Sequence, residues 1–280
     1  MDLWMTEYQT RHLGLTTRIR QTLFSGKSSF QEIAVVESEH FGRMLVLDGV
    51  YQTSFFDEYV YHEMIAHVPL FTHPKPARVL VIGGGDGGTV REVVKHAAVE
   101  KVVMVEIDGM VVEVAKRYLP DIAAALLDGH PKLDLRIGDG IQHVRETENY
   151  YDVIIVDCSD PVGPGVGLFN SEFYTQAFKA LKHDGIFVQQ TESPFIHGEL
   201  IQRVWQDLSS LFPIVRMYLA AIPLYPSGTH CFTLASKQYD PVTLDTSRLP
   251  ELSTRYHNRD IQAGCFILPN FIKQLLKQER

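Results

Sequence analysis

Cysteine is scarce. Three residues, Cys158, Cys231 and Cys265, stand far apart in 280, and none belongs to a CxxC pair. An odd, scattered set excludes a disulfide framework and a zinc knuckle. Long apolar runs are missing as well: none approaches the ~18–20 residues that cross a bilayer. The opening Met1-Asp2-Leu3-Trp4-Met5-Thr6-Glu7 has neither a basic start nor an apolar stretch, so no signal peptide is predicted. Basic residues are in deficit, 26 Lys and Arg against 34 Asp and Glu, for a net charge of −8. That speaks against a nucleic-acid binder, which shows a basic patch or stripe, and is compatible with a cationic partner. No internal repeat or low-complexity segment is found. What remains is ordinary globular usage, 45% hydrophobic and 21% charged, enough for one large domain with a small appendage. A cytoplasmic protein with no membrane association is expected.

The first ~55 residues differ from the rest. Leu15 to Arg20, Phe30 to Glu37, Met44 to Leu47 and Val50 to Thr53 are short strand-like runs. Asp48-Gly49 between the last two is a hairpin signal, because a type I′ turn needs positive φ at both centres. Such a small antiparallel sheet buries little alone, so it should pack on the larger domain or on a partner subunit. Asp57 then reads as a helix N-cap, with Val60, Met64, Val68 and Phe71 at helical spacing until Pro74 and Pro76. From Ala77 onward apolar strands (79–82, 102–105, 133–137, 153–156, 186–189) alternate with helices (89–96, 110–118, 173–181). That pattern predicts a parallel sheet covered on both faces. Two late runs, near 215–220 and 231–235, are expected to pair antiparallel at one edge.

In such sheets ligands bind beyond the carboxyl ends of the strands. After the first comes Gly83-Gly84-Gly85-Asp86-Gly87-Gly88, a G-x-G-x-x-G leading into a helix, where glycine lets backbone approach a ligand closely. Glu106 ends the second strand, about twenty residues on, where an acid takes ribose hydroxyls. Gly138-Asp139-Gly140 ends the third, and a carboxylate there suits the exocyclic amine of adenine. Nothing later resembles a second mononucleotide half, which favours an adenosine-type ligand such as S-adenosylmethionine or a relative over NAD. The fourth strand ends in Asp157-Cys158-Ser159-Asp160-Pro161, followed by a Gly/Pro-rich loop to Gly167. Two carboxylates beside such a loop suggest an acid-lined pocket under a mobile cover, with Asp86 facing the same crevice. Such a pocket suits an amine.

Two other signals fail. His62-Glu63-Met64-Ile65-Ala66-His67 approximates H-E-x-x-H, but its histidines lie about 140° apart on a helix and cannot share a zinc. Cys158 has no adjacent histidine to activate it as a nucleophile. No metal site is expected.

Taken in order, these segments resemble the spermidine synthases, the aminopropyltransferase family of polyamine biosynthesis. The likeness is carried by Leu47-Asp48-Gly49-Val50-Tyr51-Gln52-Thr53, Asp57-Glu58 with Tyr61-His62-Glu63-Met64, Gly83 to Gly88, and Val105-Glu106-Ile107-Asp108. Asp157 to Pro161 with Gly163-Pro164, and Tyr225-Pro226-Ser227-Gly228, complete it. The resemblance implies a Rossmann-like doubly wound α/β sheet of the S-adenosylmethionine-dependent methyltransferase type behind a small N-terminal antiparallel β domain. Residues 1–56 would be that oligomerising domain, in a homodimer or homotetramer, and 57–280 the catalytic domain. The implied reaction moves the aminopropyl group of decarboxylated S-adenosylmethionine to putrescine, giving spermidine and 5′-methylthioadenosine, with no prosthetic group. By position, Gln31, Gly83, Gly85, Glu106, Asp139, Gly140 and Pro164 would bind the donor, and Asp86 its ammonium. Asp157 would be the catalytic proton acceptor; Gln52, Tyr61, His62, Cys158, Ser159, Asp160 and Tyr225 would line the amine channel. Agmatine or cadaverine as acceptor, and a putrescine N-methyltransferase of the same fold, stay open. So do a non-catalytic polyamine sensor and an NAD-dependent oxidoreductase. Two departures stand out: Ser54-Phe55-Phe56 replaces a charged pair common in the family, and Gln190-Thr191-Glu192-Ser193 lacks the glycine that follows the glutamine in some relatives.

Overall fold

Asp48 and Gly49 adopt φ of 48° and 83°, the left-handed pair that a type I′ turn needs. They join β4 (Gly42–Leu47) to β5 (Val50–Ser54) in an antiparallel sheet that also holds β1 (Leu3–Thr10), β2 (Leu13–Lys27) and β3 (Glu32–Ser38), in the order β1-β2-β3-β4-β5. The computed structural model describes residues 2–127, 129–159 and 163–277, and for Gly163 and Pro164 the backbone alone. Strand β1 was not expected from sequence, and β2 runs well past the predicted Leu15–Arg20, bent by register shifts near Ile19/Gln21 and Thr22/Phe24. Both faces of this sheet find cover. Ile33, Val35 and Leu45 pack with Val111, Val114, Leu119 and Ile122, while Val36, Met44, Val46 and Tyr51 pack with Leu224. The small sheet thus borrows its core from the larger unit, as its size requires.

Helix α1 (Glu58–Thr72) follows. Asp57 sits at its N-cap position, but its side chain makes no cap hydrogen bond. The carboxylate instead accepts from Ser54 Oγ at 2.6 Å and from Leu224 N at 2.7 Å, tying the sheet–helix junction to the loop after residue 221. Beyond α1 the predicted alternation appears: β6 (Arg78–Gly83), α2 (Gly88–Val93), β7 (Lys101–Glu106), α3 (Gly109–Tyr118), α4 (Ala124–Leu127), β8 (Leu133–Ile137), α5 (Gly140–Arg145) and β9 (Tyr151–Asp157). Then come α6 (Ser171–Ala180), β10 (Leu181–Gln190), α7 (Gly198–Leu211), β11 (Ile214–Ala221), β12 (Thr229–Ser236), α8 (Arg259–Gly264) and α9 (Asn270–Lys277). The second sheet runs β11-β12-β10-β9-β6-β7-β8; β10 to β8 are parallel, and β12 and β11 add antiparallel at one edge as expected. Val79–Ile82 of β6 and Val153–Val156 of β9 are continuously apolar and buried, which is what a sheet covered on both faces demands. Among the described residues no helix is long and apolar enough to cross a membrane.

Candidate active site

The order of the parallel strands reverses between β6 and β9, and there Gly83 pairs with Asp157. Such a switch point opens a crevice at the carboxyl ends of the strands. Gly83 and Gly84 take φ of 81° and 69°, which a side chain would strain. Their lack of a side chain matters to the protein itself. A Cβ on Gly84 would stand 2.8 Å from Asp157 Oδ2, one on Gly85 3.0 Å from Glu106 Oε2, and one on Gly88 2.2 Å from the His62 ring. The glycine loop therefore folds directly around three ionisable side chains. Gly84 N also donates to the Asp157 carbonyl at 2.7 Å, locking loop to strand.

Asp157 receives two hydroxyl donors, Tyr61 on Oδ1 and Thr89 on Oδ2, both at 2.7 Å. Burial, and next the nearby Asp86, raise its pKa from its ordinary value, while His62 and the two hydroxyls oppose them. Asp86 shifts the other way. Its Oδ1 accepts from Gly88 N at 2.9 Å and its Oδ2 lies 3.3 Å from His62 Nε2; despite burial, the imidazole holds this carboxyl below its usual value. His62 is buried between two acids, with Nδ1 2.6 Å from Glu58 Oε2. Against the cost of burial, Asp86 and Glu58 lift its pKa to about 10, so it is an imidazolium at neutral pH. Glu106 accepts from Asp108 N at 2.8 Å, and burial pushes it up to about 7.

An open cleft gathers Gln31, Gln52, Tyr61, His62, Gly83, Gly85, Asp86, Glu106, Gly140, Asp157, Cys158, Ser159 and Tyr225 from the sequence reading. Gln31 reaches it from the turn between β2 and β3, its Nε2 donating to Asp108 Oδ2 at 2.9 Å. Asp139 does not line the cleft. Its carboxylate caps α5, accepting from Ile141 N at 2.7 Å and Gln142 N at 3.3 Å, because an aspartate at a helix start satisfies the orphan amides there. Asp160 lies outside the described residues. For Pro164 the backbone belongs to a 3₁₀ turn, Gly163–Leu168, whose Gly165 and Leu168 line the cleft.

A second cavity adjoins the first and shares Gln52, Tyr61, Cys158, Ser159 and Tyr225 with it. Its further walls include Glu7 from β1, Gln190, Glu192 and His230. Sequence reading missed Glu7, Glu192 and His230, since three separate segments supply them. The one local signal is at Glu192, whose φ of 66° is strained for a non-glycine residue. His230 is 5% exposed, in contact with the rings of Tyr61, Tyr225 and Phe232, and its Nε2 has no partner among the described residues. Burial drops its pKa to about 3, so it stays neutral. Thr89, Glu58 and Arg91 were missed too: the i, i+4 spacing of Glu58 and His62 on α1 was a signal for that pair, but nothing in sequence ties Thr89 to Asp157 or Arg91 to Glu58.

Helix α1 turns its two histidines to different partners, as their spacing required. His62 faces Asp86, and His67 faces Glu92 and His96 at 3.1 and 2.9 Å. Elsewhere His73, Asp152 and Asp184 converge, but the His73 Nδ1 accepts Lys75 N–H at 3.1 Å and Lys182 Nζ lies 2.6 Å from Asp152. Neutral His73 therefore carries its proton on Nε2, and an ammonium already occupies the acid, which suits an ion-pair cluster and not a cation site. Of the departing aromatics, Phe55 packs under the Arg43 guanidinium and Phe56 edge-on to Phe41, while Ser54 holds Asp57.

Residues 58–246 match the spermine/spermidine synthase domain, and residues 3–54 match the spermidine synthase tetramerisation domain. The chain belongs to the spermine/spermidine synthase family. Members similar to it include the polyamine aminopropyltransferases of Caldicellulosiruptor saccharolyticus (51% identical, 99% of each chain covered) and Bacillus cytotoxicus (52% identical, covering 99% of this chain and 100% of that one). Among solved structures, a spermidine synthase in complex with the transition-state analogue AdoDATO superposes with a TM-score of 0.92 at 41% identity, covering 98% of this chain and 94% of that one. Spermidine synthase from Thermotoga maritima gives 0.91 at 40% identity with the same coverage. The family fold therefore has the methyltransferase-like sheet and N-terminal β unit seen in this chain.

Proposed function

We propose that this member is a spermidine synthase, transferring the aminopropyl group of decarboxylated S-adenosylmethionine to putrescine and releasing 5′-methylthioadenosine. The observation that carries this reading is Asp157, held by two hydroxyls in the cleft beside Tyr61, Cys158 and Ser159, where that cleft meets an acid-walled cavity. Glu106, Gln31, Gly83, Gly85 and Gly140 suit the nucleoside end of the donor. Asp86 suits its ammonium and would repel the carboxylate of intact S-adenosylmethionine. Glu7 and Glu192, with Tyr61, Gln52, Tyr225, Cys158, Ser159 and neutral His230, suit a diamine, which a protonated imidazole would repel. Asp160 is assigned to the same amine channel by its place in the family motif alone.

An alkylammonium has a pKa near ~10.4, so exposing its lone pair at neutral pH costs roughly 4–5 kcal/mol. Asp157 would draw the cation in and take its proton as the nitrogen attacks the methylene beside sulfur. The new C–N bond forms, the C–S bond breaks, and its electron pair leaves a neutral thioether. Alignment of the two reactants supplies the rest of the acceleration. We assign residues 1–56 to oligomerisation and 57–280 to catalysis. Exposed Leu3, Trp4, Tyr8 and Leu13 on the β1–β2 hairpin offer an apolar surface for a dimer or tetramer contact, and the enzyme would work in the cytoplasm without nucleic-acid or membrane partners.

The test is product mass from putrescine, agmatine or cadaverine with each sulfonium donor. A gain of about 57 Da marks aminopropyl transfer and about 14 Da methyl transfer, the outcome that would replace this reading with an N-methyltransferase. Asp157→Asn should cut turnover by about 10²–10⁴ while donor binding, read by calorimetry, survives.

A further inference from the structure

Asp86 and Asp157 line one cleft and face the same problem. Two carboxylates withdrawn from water beside each other do not both ionise easily; one tends to keep the proton. The surroundings of the pair are not symmetric. Among the described residues, Asp157 has only neutral hydroxyl donors on its oxygens. Asp86 has the His62 ring at 3.3 Å, and behind that ring stands a second acid, Glu58, at 2.6 Å. Glu58 is itself clamped by the Arg91 guanidinium, Nη1 to Oε1 at 3.1 Å and Nη2 to Oε2 at 2.7 Å. Arg91 in turn lies 2.8 Å from Glu92 through Nε. His62, Glu58, Arg91, Asp86 and Glu92 are all withdrawn from solvent, and Gly88 leaves the space that the His62 ring fills.

We propose that Glu58, clamped by Arg91, is a positioning residue that holds His62 as an imidazolium against Asp86, so that of the two aspartates Asp86 keeps the charge and Asp157 takes the proton. The inference rests on the aminopropyltransfer reading for Asp157 and adds to it a cause for the division of labour. Paired acids whose surroundings push them apart are how one site provides a fixed anion and a working base. The charged and titratable groups facing His62 are Glu58 and Tyr61 on α1, Asp86 on the loop, Arg91 on α2 and Asp157 at the end of β9; Glu106 at the end of β7 adds negative charge to the aspartate side. Removing the charge on Glu58 leaves His62 with one acid where it had two. It then deprotonates more easily, Asp86 loses its counter-ion, and the two aspartates share a proton as one coupled pair.

Glu58→Gln and Glu58→Asp in the full-length protein test this, with imidazole ¹⁵N spectra of labelled histidine and His62→Asn to assign the signal. In the wild type the His62 signal should stay that of an imidazolium between about pH 6 and pH 9. In Glu58→Gln it should titrate inside that window, and the acidic limb of kcat/KM for the amine should move up by about one pH unit. Glu58→Asp, which keeps the charge, should return both toward wild type. An unmoved His62 signal in Glu58→Gln, or a rate lowered equally at every pH, overturns the proposal by making the pair a packing element. The spectra need no turnover, so they stand apart from the functional reading, which fails instead if wild-type protein yields no aminopropylated amine.

Discussion

Replacing Thr89 by valine removes one hydroxyl from the Asp157 carboxylate and changes little else. Thr89 is fully buried and lines neither cavity, and valine keeps its branched shape. Its Oγ donates to Asp157 Oδ2 at 2.7 Å, and a hydrogen bond to a charged group contributes about 1.5–3 kcal/mol. At about 1.4 kcal/mol per pKa unit, losing it should raise the Asp157 pKa by a further one to two units, roughly, since Tyr61 still holds the other oxygen. The profile of kcat/KM against pH reports the free enzyme, so its acidic limb should move up by that amount. The plateau above it should survive, and Thr89→Ser should behave as wild type. The same change has a signed effect on stability. Asp157 has a native pKa above its unfolded one, so its ionisation opposes folding as pH rises, and the valine widens that gap. Variant and wild type should melt alike below about pH 4 and diverge by about 1.5–3 kcal/mol above the native pKa. An unshifted limb, or a rate reduced by one factor at all pH values, refutes the view that ionised Asp157 is the working base.

Three further outcomes are expected. Burial raises Glu106 from 4.5 to about 7, which weakens the native state by about 3 kcal/mol at alkaline pH. Glu106→Gln should therefore melt higher than wild type at pH 8 and equally at pH 4, yet bind methylthioadenosine more weakly, as calorimetry would show. Gly88→Ala drives a methyl to within 2.2 Å of the buried His62 ring and should lose activity along with about 1–3 kcal/mol of stability. Gly49→Ala meets no atom within 4 Å and has only its φ of 83° to strain, so denaturation should show a loss of about 1–2 kcal/mol with turnover kept.

Much of this molecule could be read from its residues because the informative ones act locally. Asp48-Gly49 specifies its own turn, and Val79-Leu80-Val81-Ile82 ends in glycine wherever the sheet lies. Of the acids placed at or just past strand ends, Asp86, Glu106 and Asp157 face the crevice. Local reasoning could not assign the hydrogen bonds of a side chain with two possible employers. Asp57 and Asp139 both precede helices and sit at strand or loop ends; Asp139 went to the helix amides, Asp57 to a serine and a distant loop. Strand β1 was illegible for another reason. It carries Trp4 at 61% and Tyr8 at 74% exposure and buries Glu7, the reverse of the alternation a core-facing strand displays. Glu7, Glu192 and His230 meet only because both sheets close on one cavity, a fact of tertiary structure with no counterpart in spacing.

The mould formed by Gly84, Gly85 and Gly88 is cast around Asp157, Glu106 and His62, atoms of the enzyme as much as of any nucleoside. Any change made there to widen the cleft would press on Asp157, Glu106 and the His62 imidazolium together. Donor selectivity and chemical rate are hence mechanically wired to each other in this scaffold. Redesign for a new sulfonium has a freer hand at the Gln31 side, where the contact reaches in from the β2–β3 turn of a separate sheet.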